Sequence, residues 1–434
     1  MLFNPPTPDP LFSNLRILRW EFVTESFPFL HHLAVSSLTC LEINFVFDDV
    51  PPCHIFPRCL GDLCPNIRRF RIRVRRPQVG SDEAISGLVR CWTSLQVLHC
   101  PYITLDVDAI FHLSRTPSLT NLSFALGTAI ADQIAFSRPT LLFSGLRDLD
   151  ISSQTWASLS TLLPHTRLPS MESFAVYTDC CPSEYTLPSC LTALRNVCTP
   201  QSLVSLKLIQ SRSSRVTGSE RYQLGRDDLQ PCMSFGHLRR LEINTAGTVH
   251  LTDSDLLHLT SAWPGLEHLL VGEAWGWGTV AGGITPRGLL HLLERLRALC
   301  HVCLAVDTRG YSDVETARAS TRAAGFAPRA PLSVNVVDSG MHPESVDALA
   351  AFFDGILQRD VLMSARYWCT TAMAGRPDAK RSQKRWEEVF AKAYERAGPQ
   401  SQSHCLESGV SNPLVWAPNQ TVCGLHLDIT IHVY

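Results

Sequence analysis

The chain has 434 residues, 45% of them hydrophobic and 18% charged, a globular balance that excludes a disordered polar chain. A net charge of -2 and a pI near 6.7 give no basic footprint for nucleic acid, whose phosphates call for clustered positive charge. No stretch approaches the ~18 apolar residues of a membrane helix, and the proline-bearing first ten residues lack the apolar run of a secretory signal. The expectation is a cytoplasmic or nuclear protein without nucleic-acid or membrane partners.

From residue 15 onward one pattern, L-x-x-L-x-L with apolar substitutions, recurs in chain order. It reads Leu15-Leu18-Trp20, Leu38-Leu41-Ile43, Ile67-Phe70-Ile72, Leu95-Leu98-Cys100, Leu119-Leu122-Phe124 and Leu146-Leu149-Ile151. It continues as Met171-Phe174-Val176, Leu203-Leu206-Leu208, Leu238-Leu241-Ile243, Leu266-Leu269-Val271 and Leu299-Val302-Leu304, with a degenerate twelfth strand at Leu332-Val334-Val336. The mean step between starts is about 28 residues, inside the leucine-rich-repeat range. This predicts an α/β leucine-rich-repeat solenoid (a horseshoe) with one curved parallel sheet.

The segments between strands carry helix punctuation. Thr252 and Thr285 are predicted N-caps, with Asp253 and Asp255 in the first turn of one helix and Pro286 opening the other. One repeat offers four or five apolar side chains, roughly 1.5–3 kcal/mol each on full burial, against about 1–2 kcal/mol of backbone entropy for every residue fixed. Repeats therefore stand only in arrays with capped ends. The expected organisation is an N-terminal lead over 1–14, the array over 15–340, a helical C-terminal cap over 341–398 and an irregular tail over 399–434. In the cap, Trp386, Val389, Phe390, Ala393 and Tyr394 share one helix face. Near the end of the tail Leu425, Leu427, Ile429, Ile431 and Val433 alternate with polar residues.

Strand periodicity of two sends the residues flanking the buried leucines to the concave face. They are Arg19 and Glu21, Glu42 and Asn44, Arg69, Arg71 and Arg73, His99, Asp148 and Asp150, Tyr177, Lys207, Arg240, Glu242 and Asn244, His268, and His301. The arginine run from Arg68 to Arg76 reads either as an anion-recognising stripe or as a solvated face neutralised by Glu42 and Asp148. Asp148-x-Asp150 is a poor cation site without further oxygen ligands. Gly276-x-Gly278 fits an inter-repeat loop better than a dinucleotide loop. Sixteen scattered cysteines read as small buried hydrophobes, and Cys300-His-Val-Cys303 as one surface and one buried thiol. No metal, cofactor or catalytic constellation is expected.

Residues Leu11-Phe12-Ser13-Asn14-Leu15-Arg16-Ile17-Leu18-Arg19-Trp20, the repeat over 252–271, the helix-to-strand unit over 283–299 and Trp386-Glu387-Glu388-Val389-Phe390 resemble the repeat region of fungal F-box proteins, those of mushroom-forming basidiomycetes. The resemblance covers roughly residues 10–398. It implies a substrate adaptor of an SCF-type ubiquitin ligase, whose repeats bind a protein partner while an F-box of about forty residues grips Skp and cullin subunits. Because repeat one starts at Leu15, the F-box is expected to be absent here, and Skp or cullin would be partners only if one lies upstream. The alternative is a free-standing leucine-rich-repeat binding or inhibitor protein with no ligase link.

Overall fold

The computed structural model describes residues 12–22, 33–45, 60–73, 81–137, 140–180, 186–211, 222–277, 283–314, 316, 332–356, 361–364, 377–397 and 429–432. Arg75, Arg76, Gly278, Leu425, Leu427, Val433, the side chain of Glu21, most of the lead and most of the tail lie outside them. The chain divides into two compact units, residues 1–177 with 196–199 and 420–434, and residues 178–195 with 200–419.

In the first unit, β1 (Ile17–Phe22), β2 (Cys40–Phe45), β3 (Arg69–Arg73), β4 (Val97–Thr104), β5 (Asn121–Leu126), β6 (Asp148–Ser153) and β7 (Ser173–Thr178) lie in chain order in one sheet. Pairing from β1 to β6 is parallel, and its register aligns Leu18, Leu41, Phe70, Leu98, Leu122 and Leu149 in a single buried row. One carbonyl sets each step of this ladder. Thr39 and Cys40 both donate their amides to the Arg16 carbonyl, at 2.8 and 3.0 Å, and Arg68 and Arg69 do the same to Thr39. The arrangement repeats at the carbonyls of Arg68, Gln96, Thr120 and Arg147.

Helices α1 (Ser81–Cys91), α2 (Val107–Ser114), α3 (Thr128–Ser137) and α4 (Trp156–Leu162) return the chain between strands. Asp106 caps α2 by accepting from the Ala109 amide at 2.7 Å, satisfying an otherwise unpaired helix-end donor. Behind the strands, the fully buried Trp92 reaches back one repeat and donates from Nε1 to the Cys64 carbonyl at 3.0 Å. The expected irregular tail is corrected over four residues, because Ile429–His432 is a strand pairing antiparallel with β1. β1 starts the ladder and would otherwise present a row of unpaired amides and carbonyls, and the alternating tail has the strand period that covers them.

In the second unit, β8 (Ser205–Gln210), β9 (Arg240–Asn244), β10 (His268–Val271), β11 (His301–Cys303), β12 (Leu332–Asn335) and β13 (Val361–Ser364) pair in parallel. Leu206, Leu241, Leu269, Val302 and Val334 form its buried row. The degenerate twelfth strand is β12. The ladder then passes residue 340 to one more strand, β13, so the boundary expected there falls inside the sheet. Helices α5 (Asp253–Ala262) and α6 (Pro286–Arg295) start at their predicted caps, Thr252 and Thr285. They are tied together by Asp253, which accepts from the Thr285 amide at 2.8 Å and its hydroxyl at 2.6 Å. Trp263 repeats the Trp92 device, donating to the Cys232 carbonyl at 3.2 Å.

Helix α7 (Val346–Ile356) lies between β12 and β13 in the chain, and α8 (Pro377–Ala397) packs on it. The aromatic face of α8 is core. Trp386 and Val389 are fully buried, Phe353 and Phe390 ring the indole, and Trp386 Nε1 donates to the Ser339 carbonyl at 3.0 Å.

Gly145, in the turn before β6, is required by proximity, since a Cβ there would lie 2.6 Å from the Pro117 carbonyl of the preceding repeat. Gly265 holds the same place before Leu266, with nothing within 4 Å of its Cβ position. Gly145→Ala is therefore expected to lower stability by about 1–3 kcal/mol, and Gly265→Ala to change it by less than ~0.5 kcal/mol. Urea unfolding midpoints of the two variants check this; equal midpoints would refute it.

Candidate binding face

The same register that buries the leucines aligns polar side chains on the other face. Arg19, Glu42, Arg71, His99, Ser123 and Asp150 occupy one row across β1–β6, and Cys40, Arg69, Val97, Asn121 and Asp148 a second across β2–β6. Glu42 sits between two guanidinium groups, 3.2 Å from Arg19 Nε and 3.8 Å from Arg71. Exposed pairs of this kind contribute about 0–1 kcal/mol, so they orient side chains and do little for the fold. Arg69 and Arg73 are exposed and, among the described residues, have no carboxylate within 4.0 Å. Among the described residues of the arginine run, neutralisation by a carboxylate within 4.0 Å reaches Arg71. Asp148 takes no part in it, because β4 and β5 separate it from β3, and it accepts instead from Asn121 Nδ2.

Arg71, His99, Asn121, Ser123, Asp148 and Asp150 surround an open cleft of about 110 Å³ floored by Val97, Leu98 and Leu122. Four residues expected on the binding face, Arg71, His99, Asp148 and Asp150, meet here. Ser123 is 4% exposed, and among the described residues its hydroxyl has no hydrogen-bond partner. Burial, with Arg71 and Arg73 nearby, holds the His99 imidazole below its usual pKa. Burial, with Glu172 beside it, raises the Asp148 carboxyl despite the Asn121 hydrogen bond. Tyr177 is exposed on β7, away from the cleft.

In the second unit Arg240 grips Glu242 along β9, with NH2 to Oε2 at 2.9 Å and Nε to the same oxygen at 3.3 Å. Glu242 is in register with Lys207 on β8, and Arg240 with His268 on β10. His268 in turn pairs with His301, their rings stacked with centroids 4.7 Å apart. Cys300 Sγ lies 3.9 Å from His268 Nε2. Burial lowers the pKa of both imidazoles, reinforced at His268 by His301 and Arg240 and at His301 by Arg240.

Asn121, Ser123 and Cys300 were not expected at these sites. The first two occupy the third and fifth positions of repeat five, so the repeat frame marks them. Cys303 is buried and Cys300 half-buried, as their spacing implies. Among the described residues no cysteine is disulfide-bonded, and burial pushes Cys190, Cys198 and Cys232 up to about 12. The loop after β10 is tied to the sheet by Trp277 Nε1 donating to Val271 and Trp275 Nε1 to Gln210, with Gly272 and Gly276 at positive φ. Among the described residues no helix is long and apolar enough to cross a membrane.

No protein family and no curated protein matches the chain in sequence. Among solved structures it is similar to the leucine-rich repeat-containing protein LegL7 from Legionella pneumophila, at 11% identity and a TM-score of 0.30, over 87% of this chain and 96% of that one. It is also similar to a TDR receptor, at 11% identity and a TM-score of 0.31, over 78% of this chain and 61% of that one. Strand register within the chain itself establishes that each unit is an α/β leucine-rich-repeat solenoid.

His99 is expected to titrate below 6.5, and Arg71→Gln to move its pKa part of the way back up. The folded state disfavours the imidazolium, so the unfolded chain binds the proton more readily. Stability is then full above 6.5 and falls as the pH drops from there through the folded-state pKa. NMR titration of the His99 ring in both proteins reads this, and identical curves would remove Arg71 as a cause.

Proposed function

We propose that the chain is a protein-binding scaffold, and that the cleft of the first unit receives a polar side chain of its partner. The observation that carries this reading is the Ser123 hydroxyl, buried in the cleft lining with no partner among the described residues. A buried hydroxyl left without a hydrogen bond costs about 1–3 kcal/mol, which a ligand group would relieve by displacing the side chains that now cover it. Arg69 and Arg73, exposed on β3 two residues either side of the cleft-lining Arg71, carry planar guanidinium forks suited to acidic or phosphorylated residues. Arg19, Glu42 and Tyr177 extend this face. Lys207, Arg240, Glu242 and His268 are proposed contacts of the second unit.

The resemblance to fungal F-box repeat regions supports a narrower reading, in which the partner is a protein destined for ubiquitination and the ligase link runs through Skp and cullin subunits. Affinity purification of the full chain followed by mass spectrometry separates the two levels. Skp and cullin peptides are expected under the narrower reading. Their reproducible absence alongside other recovered partners leaves a free-standing scaffold.

Two variants test the face with any partner so recovered. Ser123→Ala removes an unsatisfied hydroxyl, so the melting temperature should hold or rise while partner affinity falls about tenfold. Arg69→Ala with Arg73→Ala should weaken capture at unchanged melting temperature, and more so at low salt. Unchanged affinity in both variants would assign this surface to solvent.

A further inference from the structure

The start of β11 brings together three side chains of a kind used to bind metal. His268, Cys300 and His301 each offer one ligand atom, and these atoms all lie within 4.8 Å of one another. Successive residues inside a strand point to opposite faces. Cys300 escapes that rule because it precedes β11, where its amide and that of His301 both turn to the Glu267 carbonyl, at 2.8 and 3.1 Å. These two hydrogen bonds to one acceptor fix the backbone, and parallel pairing of β10 with β11 fixes His268 beside His301. The three ligands therefore sit on a framework held by main-chain hydrogen bonds. His301 is exposed and the other two are half-buried, so the site opens to solvent on one side.

We propose that His268, Cys300 and His301 form a binding site for a zinc-class divalent cation, with two imidazoles and one thiolate as ligands and a fourth position open to solvent. Nitrogen and sulfur donors select borderline ions of this class over magnesium or calcium, which prefer oxygen. Bonds of about 2.0–2.3 Å to nitrogen and sulfur ask the ligand atoms to close from their present spread by roughly an ångström. Rotation of the exposed His301 ring out of its stack on His268 would supply that movement. On binding, the Cys300 S–H bond breaks together with its hydrogen bond to the Glu267 carbonyl at 3.2 Å, the proton passes to solvent and the sulfur lone pair goes to the metal. Arg240 is the adverse neighbour, and its guanidinium is already engaged by Glu242 at 2.9 Å. The metal would clip two consecutive repeats at their shared polar face and present an open coordination position there.

Zinc titration of the full chain against a competing chromophoric chelator is the test, with Cys300→Ser and His268→Ala as variants. One equivalent of tight zinc is expected to be lost in each variant, by at least tenfold in affinity, with the metal-free melting temperatures unchanged. Because the chain holds other cysteines and histidines, a site-specific reading accompanies it. In the unmodified protein, alkylation of Cys300 followed by peptide mass mapping should slow at least tenfold on adding one equivalent of zinc. Cobalt should show a thiolate charge-transfer band that Cys300→Ser abolishes. Cys300 alkylation unaffected by zinc, or zinc affinity unchanged in both variants, would overturn the site. Should the variants fail to fold, the alkylation result decides alone.

Discussion

Everything on both faces of these sheets depends on one hydrogen-bond arrangement, in which a single carbonyl before each strand accepts two successive amides from the next repeat. It recurs at Arg16, Thr39, Arg68, Gln96, Thr120 and Arg147 in the first unit, and at Val204, Arg239 and Glu267 in the second. These residues share no side-chain chemistry, so the lock belongs to the main chain. Its role is positional. A slip of one residue would carry each leucine to solvent and each arginine into the core. The lock makes that slip costly at each of these nine steps, which lets loop lengths vary without loss of register.

The polar faces follow from that alignment. In the first unit positive groups on β1 and β3 bracket Glu42, and acidic groups gather on β6, with His99, Asn121 and Ser123 between. In the second, an arginine–glutamate grip on β9 stands beside two stacked imidazoles. The pairs of Arg19 and Arg71 with Glu42 add little to the fold, since ion pairs at an exposed face contribute about 0–1 kcal/mol. Such a surface is free to vary while the leucine rows persist.

How much of this could be read beforehand differs by element. Every strand of the eleven-fold pattern is present because buried leucines at fixed spacing are a demand of packing, and packing acts on residues close in sequence. Thr252 and Thr285 were legible for the same reason, being local caps. β13 was not. Val361-Leu362-Met363 is an uninterrupted apolar run without the repeat's alternation, and only its ladder with β12 identifies it. The pairing of Ile429–His432 with β1 was equally hidden, although the alternation itself was visible. For the binding face, the frame showed which residues share a row. It could not show that the Ser123 hydroxyl has no partner among the described residues, or that Cys300 Sγ lies 3.9 Å from His268 Nε2. Those depend on side-chain geometry across strands about 30 residues apart in sequence.

The strand at Ile429–His432 has a consequence for the order in which the molecule is made. Trp20 and Ile429 are partners in the ladder, yet about 400 residues of chain separate them. A repeat array can otherwise assemble as it is synthesised, each repeat docking on the one before. Here the outer edge of the first strand waits with its amides and carbonyls unpaired until residues 429–432 have left the ribosome. During that interval the edge is open to any extended segment that meets it. The strand at Ile429–His432 therefore acts as a timed closure, sealing that edge of β1 only after the second unit has been translated.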